Sequence, residues 1–245
     1  MREEAALLAS LSGAASAFYR PAGQFAWRFA RGKLAGDPAF RALLAQGLLT
    51  GRARLLDLGC GQGLLAAWLL AARGAYLREG GPPWPAAWPA PPALAGYTGV
   101  EINPHEVRRA RQAFARDPGL EFKILHGDIR DVDYGAPDVV VIMDVLHYLD
   151  YPAQERVLAR VRAALPPDGL LLLRVGNTEA GVSFAFSKAF DRTVALMRRG
   201  AWQPLRCRHL EDWRQLLAGH GFRTRTQPMG AGKPFNNTLL VAQAA

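Results

Sequence analysis

Only 2 of the 245 residues are cysteine and 5 are histidine, and each scarcity removes a class of chemistry. Cys60 and Cys207 cannot build a disulfide scaffold, a four-thiolate zinc site or a cluster site. The histidines are scattered with no pair at ligand spacing, so no metal site is expected. No run of about 18 uncharged apolar residues occurs, so no membrane-spanning helix is expected. The opening MREEAALLASLSG lacks a basic n-region followed by an apolar stretch, and a cytoplasmic protein is expected. Acids are the scarcer charge, 21 against 30 bases, for a formal net charge of +9. The composition, 50% hydrophobic and 21% charged, excludes disorder and fits one globular domain with a substantial core.

What is present reads as alternating strands and helices. Residues 1–50 are read as an N-terminal helical cap. An Ala-rich stretch runs from Ala5 to Ala17; Phe25, Phe29 and Leu34 then stand near helical spacing. Asp37-Pro38 opens a third short helix. From Arg54, LLDL (55–58) is a strand running into GCGQG, followed by a helix over 64–72. GYTGVEI (96–102), EFKILHGD (121–128), VVVIM (139–143) and LLLLRV (170–175) are further strands, with helices opening at Asn103-Pro104 and Pro152. VVVIM is apolar throughout, as expected where helices cover both sheet faces. The pattern predicts a doubly wound, mostly parallel α/β sheet over 51–245. Two segments break the rhythm. Residues 73–95, with 6 prolines and 2 tryptophans, form a surface excursion, Trp84 and Trp88 reading as anchors more readily than as ligand platforms. Residues 177–208 form an insertion after the fifth strand, with a helix expected over 184–199. The chain closes with a helix over 210–218, a strand from Phe222 and a last strand at 237–242, read as an antiparallel edge pairing.

A strand that enters a glycine turn and then a helix aims backbone N–H groups and a positive helix end at a ligand. Here the turn reads Gly59-x-Gly61-x-Gly63, preceded by Asp57. A dinucleotide fingerprint needs its third glycine at position 64, where Leu64 stands, and no Gly-Lys-Ser/Thr ending marks a P-loop. Asp57 suits a ligand bearing an ammonium group, or it stabilises the turn. Glu101, at the end of the second strand, is placed to accept from two ribose hydroxyls, and Asp128 from an adenine amino group. Cys60 reads as a small loop residue, not a nucleophile. His147, three residues past Asp144 in DVLHYLDY, lies at the end of the sheet where doubly wound folds bind ligands. It is either a base or orienter for an acceptor or a structural histidine. Further candidate acceptor contacts are Tyr19, Lys33, Arg174, Asn177, His209 and Asn236.

LLDLGCGQG, GVEINP, HGDI and IMDVLHYL, in this order, resemble the successive motifs of class I S-adenosylmethionine-dependent methyltransferases over about residues 54–175. The resemblance implies a Rossmann-like, seven-stranded sheet whose last strand is antiparallel, and S-adenosyl-L-methionine as cofactor. Gly59, Cys60, Gly61 and Gly63 would then wrap its methionine moiety, and Asp57 would orient the turn or reach the amino group through water. Glu101 would hold the ribose, Ile102 would lie against the adenine, and Asp128 and Ile129 would bracket that ring. Asp144 would contact the methionine part, and Arg28 or Lys33 would pair with its carboxylate. A narrower resemblance lies in FAWRFARGKLAGDP, DVLHYLDYPAQERVL, CRHLEDWRQLL and PFNNTLLV, to methyltransferases of bacterial aryl-polyene and related pigment assembly. It implies an aromatic or polyene-linked acceptor, carried on an acyl carrier protein, without choosing carbon from oxygen methylation.

A small-molecule methyltransferase is therefore expected, with an RNA or protein methyltransferase and a non-catalytic S-adenosylmethionine-binding protein as alternatives. No RNA-binding module accompanies the core, and the fourth strand ends DVLHY without an Asn-Pro-Pro-Tyr loop. The charge divides unevenly. Residues 1–100 hold 10 basic and 5 acidic residues, 101–175 hold 10 and 12, and 176–245 hold 10 and 4. The segments flanking the cofactor sheet thus carry the excess, which fits an acidic acceptor or acidic carrier; a solvated basic surface and, less readily, nucleic acid are the other readings.

Overall fold

The computed structural model describes residues 2–78, 80–116, 119–176, 206–229 and 237–245. The helix expected over 184–199, Asn177 and Asn236 lie outside the described residues. Seven strands order as β3-β2-β1-β4-β5-β7-β6, the predicted doubly wound α/β sheet. The chain forms two compact units, residues 1–129 and 130–245.

The first unit begins with α1 (Arg2–Ala17), α2 (Gln24–Gly36) and α3 (Pro38–Ala45). In α1, Leu7, Leu11 and Ala15 recur every fourth residue and are buried. In α2 the buried stripe is Ala26, Ala30 and Leu34. Phe25 and Phe29 instead stack on each other in solvent, 67% and 43% exposed, so of the three bulky residues at helical spacing only Leu34 faces the core. Asp37 caps α3 as expected, its Oδ1 accepting from the Ala39 N–H at 3.0 Å.

Three parallel strands follow, β1 (Arg54–Leu58), β2 (Gly96–Glu101) and β3 (Glu121–His126), with Asp57 opposite Gly99 and Glu101 opposite His126. Helix α4 (Leu64–Leu77) runs five residues past the expected end, because the first proline after it is Pro82. The Pro/Trp excursion therefore starts after Leu77 instead of at 73. Within it Trp88 is buried, and Trp84 packs edge-on against Trp88 and Tyr76 while its Nε1 donates to the Pro89 carbonyl at 3.2 Å. Helix α5 (Pro104–Ala113) starts at Asn103, whose Oδ1 accepts from the His105 N–H.

The second unit holds β4 (Val139–Met143), α6 (Tyr151–Ala164), β5 (Leu170–Gly176), α7 (Leu210–Gly219), β6 (Phe222–Pro228) and β7 (Asn237–Ala244). β4 and β5 are parallel and buried nearly throughout. β7 runs antiparallel to both β5 and β6, which is the reversing C-terminal pairing read from the sequence. Asp150 caps α6 through the Ala153 N–H.

Candidate functional site

In the first unit the chain leaves β1 through a turn that only glycine adopts without strain. Gly59, Gly61 and Gly63 have φ of 82°, 56° and 83°. The Gly59 and Cys60 N–H groups both donate to the Val100 carbonyl, which fixes the turn to the end of β2. A Cβ built on Gly61 would meet nothing within 4 Å, so the outer side of the turn is open.

Glu101 closes this arrangement from β2. Its Oε2 accepts from the Gly61 N–H at 3.0 Å and its Oε1 from the Asn103 N–H at 2.7 Å. Burial raises its carboxyl above the ordinary range, opposed by these N–H groups. Each carboxylate oxygen retains a lone pair for a further donor, as two ribose hydroxyls require. Ile102 beside it is 52% exposed, an uncovered apolar surface at the strand end. Beyond β3, Asp128 is half-buried and Ile129 buried.

Asp57 is turned inward. Its Oδ2 accepts from the Tyr97 hydroxyl at 2.7 Å, and burial pushes the carboxyl up to about 7. Tyr97 went unnoticed in the sequence, although the parallel register sets it opposite Leu55 and hence on the face of Asp57, two residues on. Cys60 is buried with its thiol pushed further up by burial, a protonated packing group. It packs against Gly99, where a Cβ would come within 2.7 Å of Sγ.

Gln62, also passed over, ties α2 to the turn. Its Nε2 donates to the Ala26 carbonyl at 3.1 Å. Its Oε1 and the Tyr19 hydroxyl are buried with no hydrogen-bond partner among the described residues. A buried orphan costs about 1–3 kcal/mol, so a polar ligand beside the turn has groups to satisfy. Of the two basic candidates on α2, Arg28 is exposed and Lys33 pairs with Asp37 at 2.9 Å. With the open glycine turn, the free lone pairs of Glu101 and the bare Ile102, these residues fit S-adenosylmethionine.

In the second unit, β4 is followed directly by Asp144, a non-glycine residue at φ 59°. Its carboxylate is gripped by Arg174, with Nε to Oδ1 at 3.0 Å and Nη2 to Oδ2. Arg174 is 4% exposed, and this pairing keeps its charge compensated. His147 sits in a single helical turn, Leu146–Tyr148, and lines a small pocket with Arg174, Cys207 and Trp213. Burial lowers its pKa from 6.5 while Asp144 pulls the other way, so its imidazole is neutral and able to accept a proton at neutral pH. His209 stands at the start of α7, its backbone N–H donating to Asp212. No group of side chains that could hold a metal ion occurs among the described residues.

Residues 56–171 match the family described as "Methyltransferase domain". A carboxy-S-adenosyl-L-methionine synthase from Chromohalobacter salexigens is 33% identical over 132 residues, 54% of this chain and 43% of that protein. The chain thus spans less than half the length of that relative. A magnesium protoporphyrin IX methyltransferase from Synechocystis, solved with bound SAH, superposes with a TM-score of 0.56 at 20% identity, covering 91% of this chain and 89% of that one. The mitomycin 7-O-methyltransferase MmcR gives a TM-score of 0.56 at 24% identity over 93% and 60% of the two chains. The family match runs from Leu56 in β1 through the glycine turn, β2, β3 and β4 to Leu171 at the start of β5, somewhat less than half of the chain, and the solved structures share its fold.

Proposed function

We propose that this chain transfers a methyl group from S-adenosyl-L-methionine to a small-molecule acceptor. The observation that carries the reading is the Glu101 carboxylate, fixed by the Gly61 and Asn103 N–H groups beside an open glycine turn and the uncovered Ile102. When bound, the cofactor supplies the activated methyl group, so the protein's work is alignment and proton removal. Gly59, Cys60, Gly61 and Gly63 form the wall for its amino-acid end, and Glu101 takes the ribose. Ile102, Asp128 and Ile129 surround the adenine. The Tyr19 hydroxyl and the Gln62 carbonyl oxygen supply polar partners near the turn, and Arg28 supplies a positive charge from α2. Asp57, bonded to the Tyr97 hydroxyl, stands in β1 two residues before the turn and orients it.

In the second unit His147 receives the proton of the acceptor, and Asp144, held by Arg174, lies on the same end of β4. A neutral imidazole suits an acceptor that must be deprotonated, such as a hydroxyl. The solved relatives named for protoporphyrin and mitomycin methylation favour an aromatic or polycyclic acceptor. The excess of basic residues in 1–100 and 176–245 favours an acidic acceptor or one delivered on an acyl carrier protein, with residues 1–50 as a helical cap.

The test is transfer of labelled methyl from S-adenosylmethionine to small-molecule extract, to nuclease-treated extract and to protease-treated extract, with mass analysis of the product. Label is expected in a small molecule and to survive both treatments. His147→Ala is expected to lower turnover about 100-fold with little change in cofactor affinity. Label confined to RNA or protein, or unchanged turnover of His147→Ala across neutral pH, contradicts the reading.

A further inference from the structure

Gln154, on the first turn of α6, is fully buried; it stands within DVLHYLDYPAQERVL, where the sequence assigned it no role. A buried carboxamide needs a partner for each of its polar atoms, and this one has more than enough. Its Nε2 stands 3.1 Å from the Leu146 carbonyl, 3.1 Å from the Leu149 carbonyl and 2.8 Å from the Arg206 carbonyl. Its Oε1 accepts from the Arg208 Nε at 2.9 Å. One side chain therefore joins three pieces of chain: both flanks of the turn bearing His147, the start of α6, and residues 206–208, where the chain returns from the insertion.

Other bonds follow the same seam. The Arg206 N–H donates to the carbonyl of His147 itself at 2.8 Å. The Tyr151 hydroxyl donates to the Cys207 carbonyl at 3.3 Å, and the Arg208 guanidinium lies over the Tyr151 ring and pairs with Glu155. Among these contacts only Gln154 reaches both sides of His147 and the returning segment at once.

We infer that Gln154 is a positioning residue for the acceptor site, holding the His147 turn against residues 206–208 so that the imidazole keeps one place and stays shielded from water. The inference rests on the proposed role of His147. Its chemistry explains the residue type. Only an amide at this reach donates to backbone carbonyls and accepts from a guanidinium; a carboxylate would face three carbonyl oxygens with no proton to offer. The titratable and charged groups facing the imidazole are Tyr148 beside it, its ring centroid 4.2 Å away, Asp144 just past β4, Arg174 from β5 and Cys207 from the returning segment.

Gln154→Met keeps the volume and removes every one of these bonds. With the turn freed, a displacement of about 1 Å is enough to lower kcat by up to about 100-fold. The expected result is a fall in kcat of about 10- to 100-fold, with the dissociation constant for S-adenosylhomocysteine within about twofold of wild type. The His147 imidazole, followed by NMR, is expected to titrate higher than in wild type, towards its ordinary value, as water gains access. Arg208→Met, which removes the one Gln154 bond to Oε1 together with the contacts of Arg208 to Tyr151 and Glu155, is expected to give a smaller shift in the same direction and serves if Gln154→Met does not fold. An unchanged kcat and an unchanged imidazole titration in the variant that folds overturn the inference. If His147→Ala itself leaves turnover unchanged, the proposed function fails instead; if His147→Ala is slow and the Gln154 variant is not, only the positioning role is lost.

Discussion

Replacing Asp57 by asparagine isolates the most perturbed carboxyl beside the glycine turn. Burial lifts this group from an ordinary 3.8 to about 7, against the pull of the Tyr97 hydroxyl and with the charge of Glu101 adding to the rise. Below pH 3.8 the group is protonated both folded and unfolded and stability is unaffected. Between pH 3.8 and about 7 the unfolded chain releases the proton while the folded chain keeps it, so stability falls as pH rises. Above about 7 the cost is complete. At about 1.36 kcal/mol per pH unit, a gap of about three pH units makes that cost about 4 kcal/mol at most. Asp57→Asn keeps an acceptor oxygen for Tyr97 and removes the titration. Glu101 and Glu106, also raised by burial, and His147, lowered by it, are common to both proteins and drop out of the difference. Thermal unfolding followed by circular dichroism at pH 4.5, 6 and 8 measures the effect. The variant is expected to gain on wild type as pH rises, by about 3 kcal/mol in all, or about 6 to 12 °C in Tm for a chain of this size. A difference in Tm that stays constant from pH 4.5 to 8 would refute the argument, because it would mean that Asp57 carries the same charge folded and unfolded.

Gly99→Ala is expected to cost about 1–3 kcal/mol through overpacking, since the added Cβ would meet Cys60 Sγ at 2.7 Å and Ile124 Cδ1 at 2.9 Å. Urea unfolding checks this, and pairing the change with Cys60→Ala is expected to recover part of the loss. Glu101→Ala removes the acceptor for the Gly61 and Asn103 N–H groups as well as the ribose contact proposed for it. It is expected to weaken S-adenosylhomocysteine binding by at least about tenfold, read by calorimetry on the folded variant.

The architecture was legible where local chemistry and burial agree. VVVIM and LLLLRV are apolar on both faces and are central strands; Asp37, Asn103 and Asp150 each stand just before a proline or a proline-bearing first turn and cap their helices. The glycine spacing marked the turn because positive φ at three alternate positions leaves little choice of residue. What escaped notice depends on partners far away in sequence. Tyr97 on Asp57 is 40 residues distant, Arg174 on Asp144 is 30, and Gln154 meets Arg206 across 52. No local pattern announces such pairs, and only the strand register could have pointed to Tyr97. Phe25 and Phe29 marked a helix by their spacing but not its buried face, which small Ala26 and Ala30 form with Leu34.

The most direct test of the account is calorimetric titration of the full chain with S-adenosylhomocysteine, the form of the cofactor left after methyl transfer. Saturable binding at one site per chain, with a dissociation constant in the micromolar range or tighter, is the predicted result. Absence of measurable binding by folded wild-type protein would contradict the assignment of the glycine turn and Glu101 as a cofactor site, and with it the proposal of methyl transfer.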